Sequence, residues 1–238
     1  MKKLFYILSV IVTLASCSND EKSSENETSS ILIKRIVHTY SKDDITTLNY
    51  LYDGNKIISE KDENGFLRKF TYTENLITKI EETVKNQFQN SKDYSYKNEK
   101  LDKVIIKQNY GGTITFTYSY NNDNTISYVK TQTGSENNTG VLTIVNGNVI
   151  KNKVIYGGKY PSTINYVFEY DTKNNPFKNV LGFDLLLDDE EMFSANNMTK
   201  DGSGEPPFNF TLKYDANDFP IEKKTTNNGS NEIVQYFY

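Results

Sequence analysis

The chain of 238 residues carries 27 basic and 31 acidic side chains, 18 tyrosines, 13 phenylalanines, no tryptophan, one histidine and one cysteine. That inventory cannot build a zinc site of the usual His/Cys kind, and an acidic chain without a basic stripe has no electrostatic footing for nucleic acid. No phosphate-cradling Gly-rich signature is present, and no apolar run after the N-terminus reaches the length of a membrane helix.

The chain opens MKKLFYILSVIVTLASC, with Lys2 and Lys3 ahead of an apolar run from Leu4 to Leu14. That run has the length of a signal-peptide core and is too short to span a bilayer. Its end, Leu14-Ala15-Ser16-Cys17, resembles the lipobox of bacterial lipoproteins. The resemblance implies cleavage before Cys17, so residues 1 to 16 are expected to be a leader and Cys17 the lipidated residue. Cys17 has no second cysteine to pair with, which argues against a disulfide role. Losing Lys2 and Lys3 moves the formal charge from −4 to −6. Residues 17 to 30 follow as a polar stretch without a large apolar side chain, a composition that predicts a disordered tether.

From residue 31 a repeat takes over. The second aromatic of a Tyr-x-Tyr pair falls at Tyr52, Tyr72, Tyr96 and Tyr120, and the position continues at Ile144, Tyr170, Tyr214 and Tyr238. Most of the steps are about 24 residues, the period of a small supersecondary unit. Each aromatic pair precedes a turn such as Asp53-Gly54-Asn55 or Asn146-Gly147, residues that tolerate positive φ. A strand rich in Ile and Val and a second Gly-marked turn complete the unit. The segment ITFTYSY, 114 to 120, shows the alternation plainly: Phe116, Tyr118 and Tyr120 on one face, Thr115, Thr117 and Ser119 on the other. Roughly fourteen to sixteen such strands predict an all-β antiparallel meander curled into a closed or half-open barrel. The aromatics are expected to form a band along one rim that fixes register.

The repeats resemble the YD repeats of RHS proteins. The blocks YDTKNNPFKNVL (170 to 181), SANNMTK (194 to 200) and YDANDFPIEK (214 to 223) are similar to a family of Gram-negative lipoproteins described as porin-like in fold. The resemblance implies a sheet wound toward a barrel and no activity. Leu142-Thr143-Ile144 departs from the pattern by lacking both tyrosines.

Between the sixth and seventh repeats lies an insertion, about 177 to 201, with the densest apolar cluster of the mature chain. Such a cluster is not left in water. Leu185, Leu186 and Leu187 are expected to pack against the aromatic face as a plug. Asp188, Asp189, Glu190 and Glu191 are expected to stay in solvent as an acidic turn, since consecutive carboxylates diverge too far to chelate calcium. His38 sits in a strand-like run and is read as a bystander, and chance carboxylate pairs carry no hydrolase signal without a pocket. Arg68 and Lys92 share the aromatic faces, where a lipid-facing charge would be costly.

Residues 31 to 238 are therefore expected to form a single domain that needs no cofactor and is not an enzyme. The expected role is a binding or structural module of an outer-membrane, surface-displayed lipoprotein. It is held to the membrane by its lipid and faces an extracellular or periplasmic protein or glycan, with no nucleic-acid partner. The alternatives are a transmembrane β-barrel channel and a carboxylate-pair hydrolase.

Overall fold

The structure is a computed structural model describing residues 31–226 and 232–238, with the side chains of Glu190 and Glu191 outside the description. The expected leader, Cys17 and the tether of residues 17 to 30 lie outside the described residues. Among the described residues no helix is long and apolar enough to cross a membrane.

Sixteen strands follow one another in chain order. The first half comprises β1 (Arg35–Ser41), β2 (Asp44–Asp53), β3 (Lys56–Lys61), β4 (Phe66–Thr73), β5 (Leu76–Val84), β6 (Gln87–Lys97), β7 (Lys100–Gln108) and β8 (Thr113–Tyr120). The second half comprises β9 (Thr125–Gln132), β10 (Asn138–Val145), β11 (Asn148–Tyr156), β12 (Ser162–Tyr170), β13 (Met198–Asp201), β14 (Phe208–Tyr214), β15 (Pro220–Thr225) and β16 (Ile233–Phe237). Every strand pairs antiparallel with the next, and β16 closes on β1 with Ile36 opposite Tyr236. A sheet this wide would curl in any case, and closure leaves no edge open to another chain.

Period-two alternation sorts the side chains. Ile57, Phe70, Ile80, Tyr94, Val104, Tyr118, Leu142 and Phe168 point inward and are buried. The opposite parity faces out and is mixed: Lys69, Thr117 and Lys153 are exposed on three different strands, and so are Leu51, Val129 and Val167. Outward charges also pair between neighbouring strands, Lys107 with Asp93 at 2.9 Å, Lys200 with Glu169 at 2.9 Å and Lys213 with Glu222 at 2.9 Å.

The repeated tyrosines collect at one rim. The register shifts at Tyr52, Tyr72, Tyr96, Ile144, Tyr170 and Tyr214, so this position is a β-bulge in most copies of the repeat. The phenol then reaches back to a neighbouring strand: Tyr96 donates to the Ile77 carbonyl at 2.7 Å, Tyr120 to Leu101 at 3.1 Å and Tyr238 to Pro220 at 2.9 Å. Left-handed residues close the turns, among them Gly54, Glu74, Asn98, Asn146 and Asp218.

The meander is interrupted once, between β12 and β13. The excursion differs from the expected span at both edges: it leaves at Asp171 and returns at Asn197, because Met198–Asp201 pairs with β12 and β14 as a short strand. It holds only single turns of helix, a 3₁₀ turn at Phe183–Leu185 and α1 at Glu190–Phe193.

Candidate functional site

The excursion plugs the tyrosine end of the barrel. Its neck is tied at Asp171, whose carboxylate accepts from the Lys173 amide at 2.9 Å, the Asn197 amide at 3.2 Å and the Tyr214 hydroxyl. Backbone and amide bonds then staple it to the rim turns: Leu181 N–H to the Asn55 carbonyl at 3.0 Å, Ala195 N–H to Gly147 at 3.1 Å, and Asn174 N–H to Asp218 at 3.0 Å. The Tyr72 hydroxyl donates to the Leu181 carbonyl at 2.9 Å. Burial pushes that phenol up to about 12, so it stays protonated and able to donate.

The apolar side of the plug enters the barrel. Phe183 packs on Phe70 at 5.7 Å and on Phe177 at 5.4 Å, and Phe177 meets Tyr50 edge-on at 5.9 Å. Leu186 and Leu187 are buried as expected, while Leu185 is half-buried.

The acidic turn departs from expectation. The Asp188 side chain is 2 % exposed, and its Oδ2 accepts from Lys92 Nζ at 2.8 Å and from the Tyr94 hydroxyl at 3.3 Å. Turned inward, it meets the inward-facing Lys92 ammonium, whose charge Asp189 also favours. Burial works against the Lys92 charge, but the Asp188 carboxylate outweighs it and holds the ammonium above its ordinary pKa. Asp189 is half-buried beside it, and the side chains of Glu190 and Glu191 lie outside the described residues.

A second buried charge cluster stands nearby. Arg68 donates through Nη1 to Glu60 at 2.8 Å and through Nε to Glu82 at 2.8 Å. Burial raises the Glu60 carboxyl above its usual range despite the guanidinium, with the Glu82 charge adding to the effect. Arg68 itself is held charged, because two carboxylates more than offset its own burial.

Above the plug the lumen is not filled. A chamber of about 370 Å³ lies between the plug and the β12 to β16 wall, lined by Tyr170, Asp201, Phe210, Lys223 and Tyr236, with Asp188 and Asp189 below. A second chamber, of about 200 Å³, lies against β8 to β11 and is lined by Phe116, Tyr118, Tyr128, Lys130 and Asn152, with Leu187 and Asp188 below. Asp188 thus borders both, and its Oδ1 is buried with no hydrogen-bond partner among the described residues.

The sequence reading anticipated Leu186, Leu187 and the aromatic wall but missed Lys130 and Lys223. Parity held the signal: Lys130 lies two residues after inward Tyr128 and so shares its face. His38 is placed away from both chambers, with Nδ1 3.0 Å from Glu232. No cluster of metal-ligating side chains occurs among the described residues.

Fold and site together define a closed sixteen-stranded β-barrel whose lumen mixes apolar side chains with buried ion pairs, with one stoppered end and two small chambers. Among solved structures the chain is similar to a porin-like protein from Bacteroides uniformis, at 11 % identity and a TM-score of 0.51, covering 86 % of this chain and 97 % of that one. That likeness shows the fold alone. No family model and no curated protein matches the chain.

Proposed function

We propose that this protein is a lipid-anchored, water-exposed barrel that binds a small polar ligand in its plugged lumen and catalyses no reaction. The observation that carries this reading is the polarity of the wall. Its outward side chains include Lys69, Lys79, Asp93, Lys107, Lys153, Glu169 and Lys213. A lysine or arginine facing lipid near the bilayer midplane costs about 2–4 kcal/mol, and here several strands would bear that cost. The concave surface is therefore the lumen, whose aromatic lining and inward polar groups offer contacts to a small polar ligand.

Support for a non-catalytic role comes from the buried acids. Glu60 and Glu82 are both clamped by Arg68, and Asp188 shares one oxygen with Lys92, so none stands as a free acid–base pair. Membrane attachment rests on the lipobox resemblance at Cys17, and display on the outer membrane is part of the same reading. Fractionation tests it. Cys17→Ala should move a folded chain from the membrane to the soluble fraction without detergent. A chain that stays in the membrane after this change would support a transmembrane barrel instead.

A further inference from the structure

We infer that the outward corner of the stoppered rim, built by Ile221, Phe237, Arg35, Leu51 and Ile58, docks on the lipid bilayer that holds the anchor, so that the open mouth faces away from it. This inference rests on the lipid-anchor reading above and adds how the barrel sits.

The place where the chain joins the barrel leads to it. Ile33 is fully buried, the Ile31 carbonyl accepts from Asn179 Nδ2 of the plug at 2.8 Å, and the Lys34 amide donates to the Phe237 carbonyl at 2.7 Å. The segment running from Cys17 thus meets the barrel at its stoppered end, beside Phe237. A flexible coil the length of residues 17 to 30 spans about 20 Å root-mean-square. Strand β2, with its 10 residues, is about 33 Å long, so the far mouth is the end least able to meet the anchoring bilayer.

The surface beside that junction is apolar and basic. The neighbouring strands β15, β16, β1, β2 and β3 each put one exposed side chain on the outer wall close to the rim: Ile221, Phe237, Arg35, Leu51 and Ile58 in turn. Phe237 lies opposite Arg35 in the ladder, and the guanidinium stands over its ring, 4.1 Å from the centroid. Lys34 is exposed next to them. Apolar side chains gathered at one corner mark an interaction surface. Cations among them favour the acidic headgroups of a lipid surface, and an arginine lying on apolar neighbours keeps its head free for phosphate.

Fluorescence quenching tests this on the lipidated mature chain in vesicles of phosphatidylcholine and phosphatidylglycerol that carry nitroxide-labelled lipid. A bimane probe is attached at Leu51→Cys or Ile58→Cys in the corner, and at Tyr110→Cys or Tyr160→Cys in the exposed mouth turns. The corner probes should be quenched about threefold or more over the mouth probes. Leu51→Glu with Ile221→Glu should bring the Ile58→Cys signal down to the mouth level at an unchanged unfolding midpoint, since both replaced side chains are exposed. Proximity through the tether alone would leave that signal as it was. Equal quenching at both ends, stronger quenching at the mouth, or an Ile58→Cys signal indifferent to the two glutamates would each overturn the inference. Flotation of the same vesicles separates it from the anchor reading. A chain that floats with evenly quenched probes keeps the anchor and loses the docking, and a chain that does not float loses both.

Discussion

Lys92 and Asp188 lie 96 residues apart in the chain and 2.8 Å apart in the fold. The lysine was legible: alternation with Tyr94 and Tyr96 puts it on the inner face. The aspartate was not, because nothing in an acidic run says which member meets a buried cation far away in sequence. Removing one partner of such a pair leaves an uncompensated charge, at a cost of about 3–5 kcal/mol. Lys92→Met should therefore lower the unfolding free energy in urea by about that amount. The double change Lys92→Met with Asp188→Leu should recover most of it, since an apolar pair of similar size is near neutral. An additive double variant would mean that the two side chains do not depend on each other.

Among the elements, the repeat carried the most information. Its period located the rim, and the hydrogen bonds of Tyr96, Tyr120 and Tyr238 to backbone carbonyls show why the tyrosine recurs: it braces a bulge beside a tight turn. The insertion was legible as an apolar plug because eight large side chains within one excursion need a host. Its return was not, since Met198-Thr199-Lys200-Asp201 is too short to show a period and is a strand only because β12 and β14 flank it. The plug also holds structure together, through Phe183, Leu186 and the staples to the rim turns. Deleting residues 182 to 193 removes Phe183, Leu186 and Leu187 from the core. Each fully buried side chain of this kind contributes about 1.5–3 kcal/mol. The thermal midpoint should fall clearly, and an unchanged midpoint would show that the excursion stabilises nothing.

For the whole molecule, alternation gave the barrel but not its closure or what fills it. Closure depends on β1 meeting β16, a pairing between the chain's two ends that local pattern does not encode. The fold it produces resembles that of a porin-like protein. The proposed function sets the outer wall in water, because lysines such as Lys69 and Lys153 stand at mid-strand there, beside exposed aliphatics such as Leu51, Val129 and Val167. Substituted-cysteine labelling of intact membranes tests that orientation most directly. Single cysteines replace Lys69, Thr117 or Lys153 at the middle of the outer wall, in chains otherwise native. After permeabilisation that leaves the bilayer in place, all three should react with a charged maleimide as fast as a cysteine in the exposed 109–112 turn. Cysteines shielded until detergent is added would place the wall in lipid and contradict the account.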